Sequence, residues 1–129
     1  MPLQVRIDPE IQFIFVDGMG VVTDEDLLEY VHEYLGKGEF QGYDELFDLS
    51  AADLHDLTYA GLSSVAAAAA ATDPEAAPTK TKIAILVSED VGMKWSRMYQ
   101  SLRETKGGRR QTRVFWEKTE CREWLGLTF

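Results

Sequence analysis

Glu45-Leu46-Phe47-Asp48-Leu49-Ser50-Ala51-Ala52-Asp53-Leu54-His55-Asp56-Leu57-Thr58-Tyr59-Ala60-Gly61-Leu62 has the pattern of a strand, a loop and a helix start in direct succession. It begins as an apolar strand, Leu46-Phe47-Asp48-Leu49, expected to end at Ser50. A short acidic loop with Asp53 and Asp56 follows, and Asp56-Leu57-Thr58 opens an alanine-rich helix. Asp and Thr are favoured there because their side-chain oxygens accept from the backbone N–H groups that a helix start leaves free. Thr58 therefore reads first as a cap or first-turn residue. The helix is predicted from about Leu57 to Ala71, with Leu62, Val65 and some of the alanines from Ala66 to Ala71 toward the core. Alanine is the best helix former and presents a thin surface, so another element can pack closely against it.

Upstream, Gln4-Val5-Arg6-Ile7 alternates as a half-buried strand, and Asp8-Pro9-Glu10 is turn chemistry. Ile11–Val16 reads as a more deeply buried strand, and the short connection makes the pair an antiparallel hairpin. Asp17-Gly18 reads as another turn before a short extended Gly20-Val21-Val22. Thr23 with Asp26 forms a capping arrangement, and Asp24, Glu25 and Asp26 sit at the positive end of the helix dipole. Leu27, Leu28, Val31 and Leu35 make the apolar stripe of that helix, which Gly36 or Gly38 ends.

Downstream, Thr72–Thr79 is a loop, and Lys82–Val87 is a strand buried on both faces, as in the middle of a parallel sheet. Ser88 is expected to cap a helix with the stripe Val91, Trp95, Met98 and Leu102, terminated by Gly107-Gly108. Thr112–Trp116 is the last strand, and Cys121, Trp124 and Leu125 mark a final short helix. The fold class is therefore mixed α/β: an N-terminal antiparallel hairpin followed by β-α units, with helices packed on a mixed sheet. A length of 129 residues is expected to form one domain over residues 1–129.

Charge and cysteine content narrow the setting. The net charge of −9 disfavours nucleic acid and anionic membranes as partners, because phosphate binding needs a concentrated positive field. Residues 1–79 carry two basic against sixteen acidic side chains, and residues 80–129 carry eleven against six. That asymmetry reads either as solvated charge or as a means of aligning subunits head to tail. No apolar run approaches a membrane span, and with no signal pattern at Met1–Arg6 and a single Cys121 the expected location is cytoplasmic.

In its hairpin, in Phe47-Asp48-Leu49-Ser50, in Asp56-Leu57-Thr58 with Gly61-Leu62, and in Ile83–Val87, the chain resembles the STAS and SpoIIAA-like superfamily of anti-sigma-factor antagonists, in an uncharacterised bacterial branch. In the antagonist family this turn reads Asp-Ser-Ser/Thr-Gly, and a partner kinase phosphorylates its second hydroxyl. Here Asp56 matches the Asp, Leu57 replaces the first Ser, Thr58 falls on the phosphoacceptor, and the glycine is displaced to Gly61. The resemblance implies a non-enzymatic module that needs no cofactor. It would work through a protein partner or as a homodimer, with Thr58 as phosphoacceptor and Asp48, Ser50, Asp53 and Asp56 flanking it. The alternative implied by lipid-carrying relatives of the fold is a domain for a small apolar ligand or lipid, with an apolar cavity near Trp95 and Tyr99.

Asp48, Asp53, His55 and Asp56 lie along a strand end and a loop without a second His or Cys, which fits a solvated acidic loop better than a metal or acid–base cluster. His32 falls with Glu29 and Glu33 on a polar face, and Cys121 on the Trp124 and Leu125 stripe. Ser63 and Ser64 lack the glycine-flanked elbow of a hydrolase nucleophile, and neither Gly18-Met19-Gly20 nor Gly107-Gly108 matches a phosphate-binding loop. Trp95, Met98 and Tyr99 read as core that also supplies a groove or an interface. The run Arg109-Arg110-Gln111-Thr112-Arg113 reads as a solvated turn or a dock for an acidic surface.

Overall fold

Alternation along the strands sorts side chains onto two faces of one sheet, and the faces are covered unequally. The protein is described by a computed structural model at residues 2–72, 81–105 and 110–127. Strands β1 (Leu3–Asp8), β2 (Phe13–Val21), β3 (Asp44–Asp53), β4 (Lys82–Leu86) and β5 (Gln111–Phe115) lie side by side in sequence order. β1 runs antiparallel to β2, and each later pair is parallel. The helices are α1 (Asp24–Tyr30), α2 (Tyr59–Ala70), α3 (Asp90–Thr105) and α4 (Lys118–Leu125), and α1 continues into a π-helical turn, Val31–Leu35.

On one face, Ile14 and Val16 of β2, Phe47 of β3 and Ile83 and Ile85 of β4 pack beneath α1, α2 and α3. On the other, Phe13, Phe15, Leu46, Ala84, Leu86 and Phe115 meet, among the described residues, Cys121, Leu125 and Trp124 of α4 and the adjoining Leu127. An eight-residue helix is too short to cover five strands, and cationic side chains extend the roof. The Arg6 guanidinium lies 4.2 Å over the Phe15 ring and that of Arg113 5.0 Å over Phe115. Lys82 Nζ donates to the Trp124 carbonyl at 2.7 Å. Such side chains lay their apolar stems on the core and keep their charge near water.

The hairpin, the β-α order, the burial of β4 on both faces and the core side of α2 agree with the sequence reading. Several boundaries differ, for identifiable reasons. β3 does not end at Ser50 but continues to Asp53. Leu49 and Ser50 bulge opposite Gly18, and pairing resumes at Met19 with Ala51. Asp17-Gly18 is accordingly part of β2 rather than a turn, and Gly20-Val21 belongs to the same strand. A Cβ on Gly18 would lie 2.8 Å from Leu49 Cδ2, so the glycine serves the close approach at the bulge.

Ile11 is an exposed turn residue, and the chain turns through Gln12 at φ 56°. Ser88 does not cap α3; its Oγ donates to the Ser50 carbonyl at 2.6 Å, while the Met93 amide donates to the Glu89 carbonyl. The fully buried side of α3 runs through Gly92, Met93, Ser96, Leu102 and Arg103, so the expected stripe is rotated: Leu102 is buried, and Val91, Trp95 and Met98 are half-buried. Gly92 explains the rotation, because it brings the helix against Val87, where a Cβ would sit at 3.2 Å. The loop reading for 73–79 and the glycine pair 107–108 lie outside the described residues.

Ala66 is fully buried on α2 and Ala67 is exposed beside it. Ala66→Leu is expected to cost about 1–3 kcal/mol in urea unfolding by overpacking, whereas Ala67→Leu changes stability by less than about 0.5 kcal/mol.

Candidate functional site

Between the sheet and α1–α3 lies a cavity of about 60 Å³. Its floor is Glu45 and Phe47 of β3 with Ile83 and Ile85 of β4. Leu27, Tyr30, Val31 and Leu35 come from α1 and its π turn, Leu62, Val65 and Ala69 from α2, and Trp95, Ser96 and Tyr99 from α3. Two of the three residues expected to form a groove, Trp95 and Tyr99, thus meet at this wall. Met98 does not; it packs on the cluster of Val22, Leu54 and Leu62.

The floor carries one charge. Glu45 is only 1% exposed, and each of its carboxylate oxygens has a donor. Tyr30 Oη donates to Oε1 at 2.7 Å, and Arg110 Nη1 donates to Oε2. Arg110 also donates to the Tyr43 carbonyl and, through Nε, to Thr81 Oγ1 at 3.2 Å. Burial, reinforced by the Glu45 charge, pushes the Tyr30 phenol well above its ordinary range, so Tyr30 stays a proton donor. Arg110 is therefore not the solvated or docking cation that its sequence context implied. It is a buried ion-pair partner, while Arg109 lies outside the described residues.

The predicted phosphoacceptor sits at the carboxyl end of the sheet. Thr58 caps α2, its Oγ1 accepting from the Gly61 amide at 3.0 Å. The same hydroxyl donates to Asp24 Oδ2 at 2.7 Å, and the Thr58 amide donates to the same carboxylate. An anion therefore already occupies the positive end of α2, and it belongs to the chain. Gly61 makes room for it, since a Cβ there would lie 2.1 Å from Asp24 Cγ.

The flanking residues make local contacts. Ser50 N–H and Oγ donate to Asp48 Oδ1, and His55 Nδ1 lies 2.7 Å from Asp53 Oδ1. Hydrogen bonds from His55 hold the Asp53 carboxyl below its usual range, and Asp53 in turn raises the imidazole pKa. Asp56 is exposed. Among the described residues no three His, Cys, Asp or Glu side chains converge as a metal site would require. Cys121 is fully buried between α4, which carries it, and the sheet, and burial pushes its thiol up to about 11.

Sequence reasoning missed Glu45, Arg110 and the Asp24–Thr58 contact. Glu45 carried one usable signal: it is in phase with Phe47, which places it on the inward face of β3. Tyr30, likewise missed, stands three residues after Leu27 on the apolar side of α1.

Removing either partner leaves a buried charge unpaired. Glu45→Ala and Arg110→Ala are each expected to lose about 3–5 kcal/mol in chemical unfolding, and the double variant less than their sum. By NMR, the His55 imidazole is expected to titrate above its ordinary value of 6.5, and Asp53→Asn to return it toward that value.

No protein-family model and no curated protein matches the chain. Solved structures do, and one of them is an uncharacterized protein from the DUF3478 family with a SpoIIAA-like fold, from Shewanella loihica PV-4. It is 13% identical, with a TM-score of 0.57, over 95% of this chain and 91% of that one. At that identity the likeness speaks to architecture alone, and the architecture of this chain is a SpoIIAA-like fold.

Proposed function

We propose that this domain binds rather than catalyses, and that it takes a small apolar molecule between the sheet and α1–α3. The cavity is the observation that carries this reading: apolar side chains of two strands and three helices line it, with Trp95 and Tyr99 in its wall. Filling such a space restores dispersion contacts that its lining lacks, and apolar cavities of this kind take apolar guests. The polar groups nearby favour binding over turnover. Glu45 is engaged on both oxygens, and Tyr30 keeps its proton. The single cysteine fits a cytoplasmic setting; among the described residues no helix is long and apolar enough to cross a membrane.

A separate observation favours a second reading, a regulatory module that works through a protein partner or as a homodimer. Met19 and Val21 end β2, Tyr59 begins α2 and Trp116 follows β5, all at the carboxyl end of the sheet. All four are exposed, Tyr59 to 59%. They share that end with Thr58, Asp48, Asp53 and Asp56, and exposed aromatic residues are enriched at protein interfaces. Phosphorylation of Thr58 would set a dianion against Asp24 and break the contact between them.

Titration with the neutral fluorophore N-phenyl-1-naphthylamine tests the first reading. Saturable one-to-one enhancement is expected, weakened about tenfold or more by Ala69→Met, which fills the cavity. Equal binding by both forms places the probe elsewhere and contradicts the reading. For the second, light scattering is expected to give a dimer that Tyr59→Ser dissociates; a monomer for the unaltered chain removes self-association.

A further inference from the structure

We propose that α1 with its π turn is a lid on the cavity, latched by Asp24 to the first turn of α2, and that apolar ligands reach the cavity when the latch opens. The inference rests on the reading of the cavity as a binding site. The volume of the cavity, about 60 Å³, is well below the roughly 150 Å³ that accommodates benzene. A larger guest therefore requires a wall to move.

The wall between α1 and α2 is the one built to move. Leu27, Val31 and Leu35 face the cavity from one side of that seam, and Leu62, Val65 and Ala69 from the other. At the seam's outer end the closure is polar and near water: the Asp24 carboxylate accepts from the Thr58 amide at 3.1 Å and from its hydroxyl at 2.7 Å. Solvent-exposed hydrogen bonds of this kind open locally at far lower free energy than a packed core, because water replaces the lost partner.

Gly61 points the same way. Its φ lies outside the left-handed region, so the backbone does not require glycine, and alanine would favour the helix by about 1 kcal/mol. What demands glycine is the Asp24 carboxylate, which a Cβ would meet at 2.1 Å. The helix thus gives up intrinsic stability at the position that admits the latch. At the far end of the lid the π turn closes through the Gly36 amide and the Val31 carbonyl at 2.9 Å. Gly38 at φ 78° and Gly42 at φ 85° follow, in a segment suited to absorbing rotation. Between the two ends, the Tyr30–Glu45 bond tethers the lid to the sheet and serves as its pivot.

Two variants of the full chain open the latch by different routes: Asp24→Ala removes the carboxylate, and Gly61→Ala displaces it. Hydrogen exchange is expected to speed up roughly tenfold at the amides of residues 27–35 in both, with β3 and the second half of α2 unchanged. N-phenyl-1-naphthylamine is expected to associate faster by a similar factor in stopped-flow mixing. Unchanged exchange in α1 for both variants overturns the lid, as does acceleration spread evenly over helices and sheet. A loosened α1 with an unaltered probe association rate also overturns it. A loosened α1 in protein that binds no probe in any form supports the lid while removing the cavity reading.

Discussion

A carboxylate folded into the inward face of the third strand is unfavourable unless its charge is answered, and in this chain the answer fixes several other elements. Glu45 is reached by Arg110 from the residue before β5 and by Tyr30 from the last turn of α1. Neither contact is optional. An isolated buried charge costs several kcal/mol, and only a partner of opposite sign with hydrogen bonds on both oxygens offsets that cost. The network thus pins the first helix and the entrance to the last strand to the middle of the sheet. It also sets a polar floor under an apolar space.

That space follows from how the helices are seated. α2 presents mainly alanine and α3 approaches through Gly92, so both come close to their neighbours. α1 instead brings Leu27 and Tyr30, and its backbone continues into a π turn that adds Val31 and Leu35 to the same wall. The seam between α1 and α2 is closed at its outer end by Asp24 and Thr58 rather than by packing. On the other face of the sheet, α4 and the side chains of Arg6, Lys82 and Arg113 lie over the core.

Much of this was legible in the sequence where the signal is local. Alternation in Gln4–Ile7, the apolar run at Ile83–Val87 and the capping chemistry of Thr23 and Thr58 each report on residues a few positions away, and the structure agrees with them. Where partners are distant, the reading failed. Arg110 looked solvated because its partner Glu45 is 65 positions earlier. Asp24 looked like a dipole-matching residue of its own helix, but it also binds a threonine 34 positions on. Asp17-Gly18 carries turn chemistry, and only the bulge in the neighbouring strand reveals why a glycine stands there. The groove residues were half legible: aromatic spacing on α3 marked Trp95 and Tyr99, but helix rotation decided that Met98 packs elsewhere.

The proposed occupancy of the space above Glu45 by a small apolar molecule has a direct physical readout, its mass. Native mass spectrometry of the protein purified from its own host addresses it most directly, since subunit count, bound mass and phosphorylation appear in one spectrum. The account predicts an added mass that organic extraction removes and that Ala69→Met abolishes. A spectrum of bare or phosphorylated chain, with no added small-molecule mass in the unaltered protein, would contradict it.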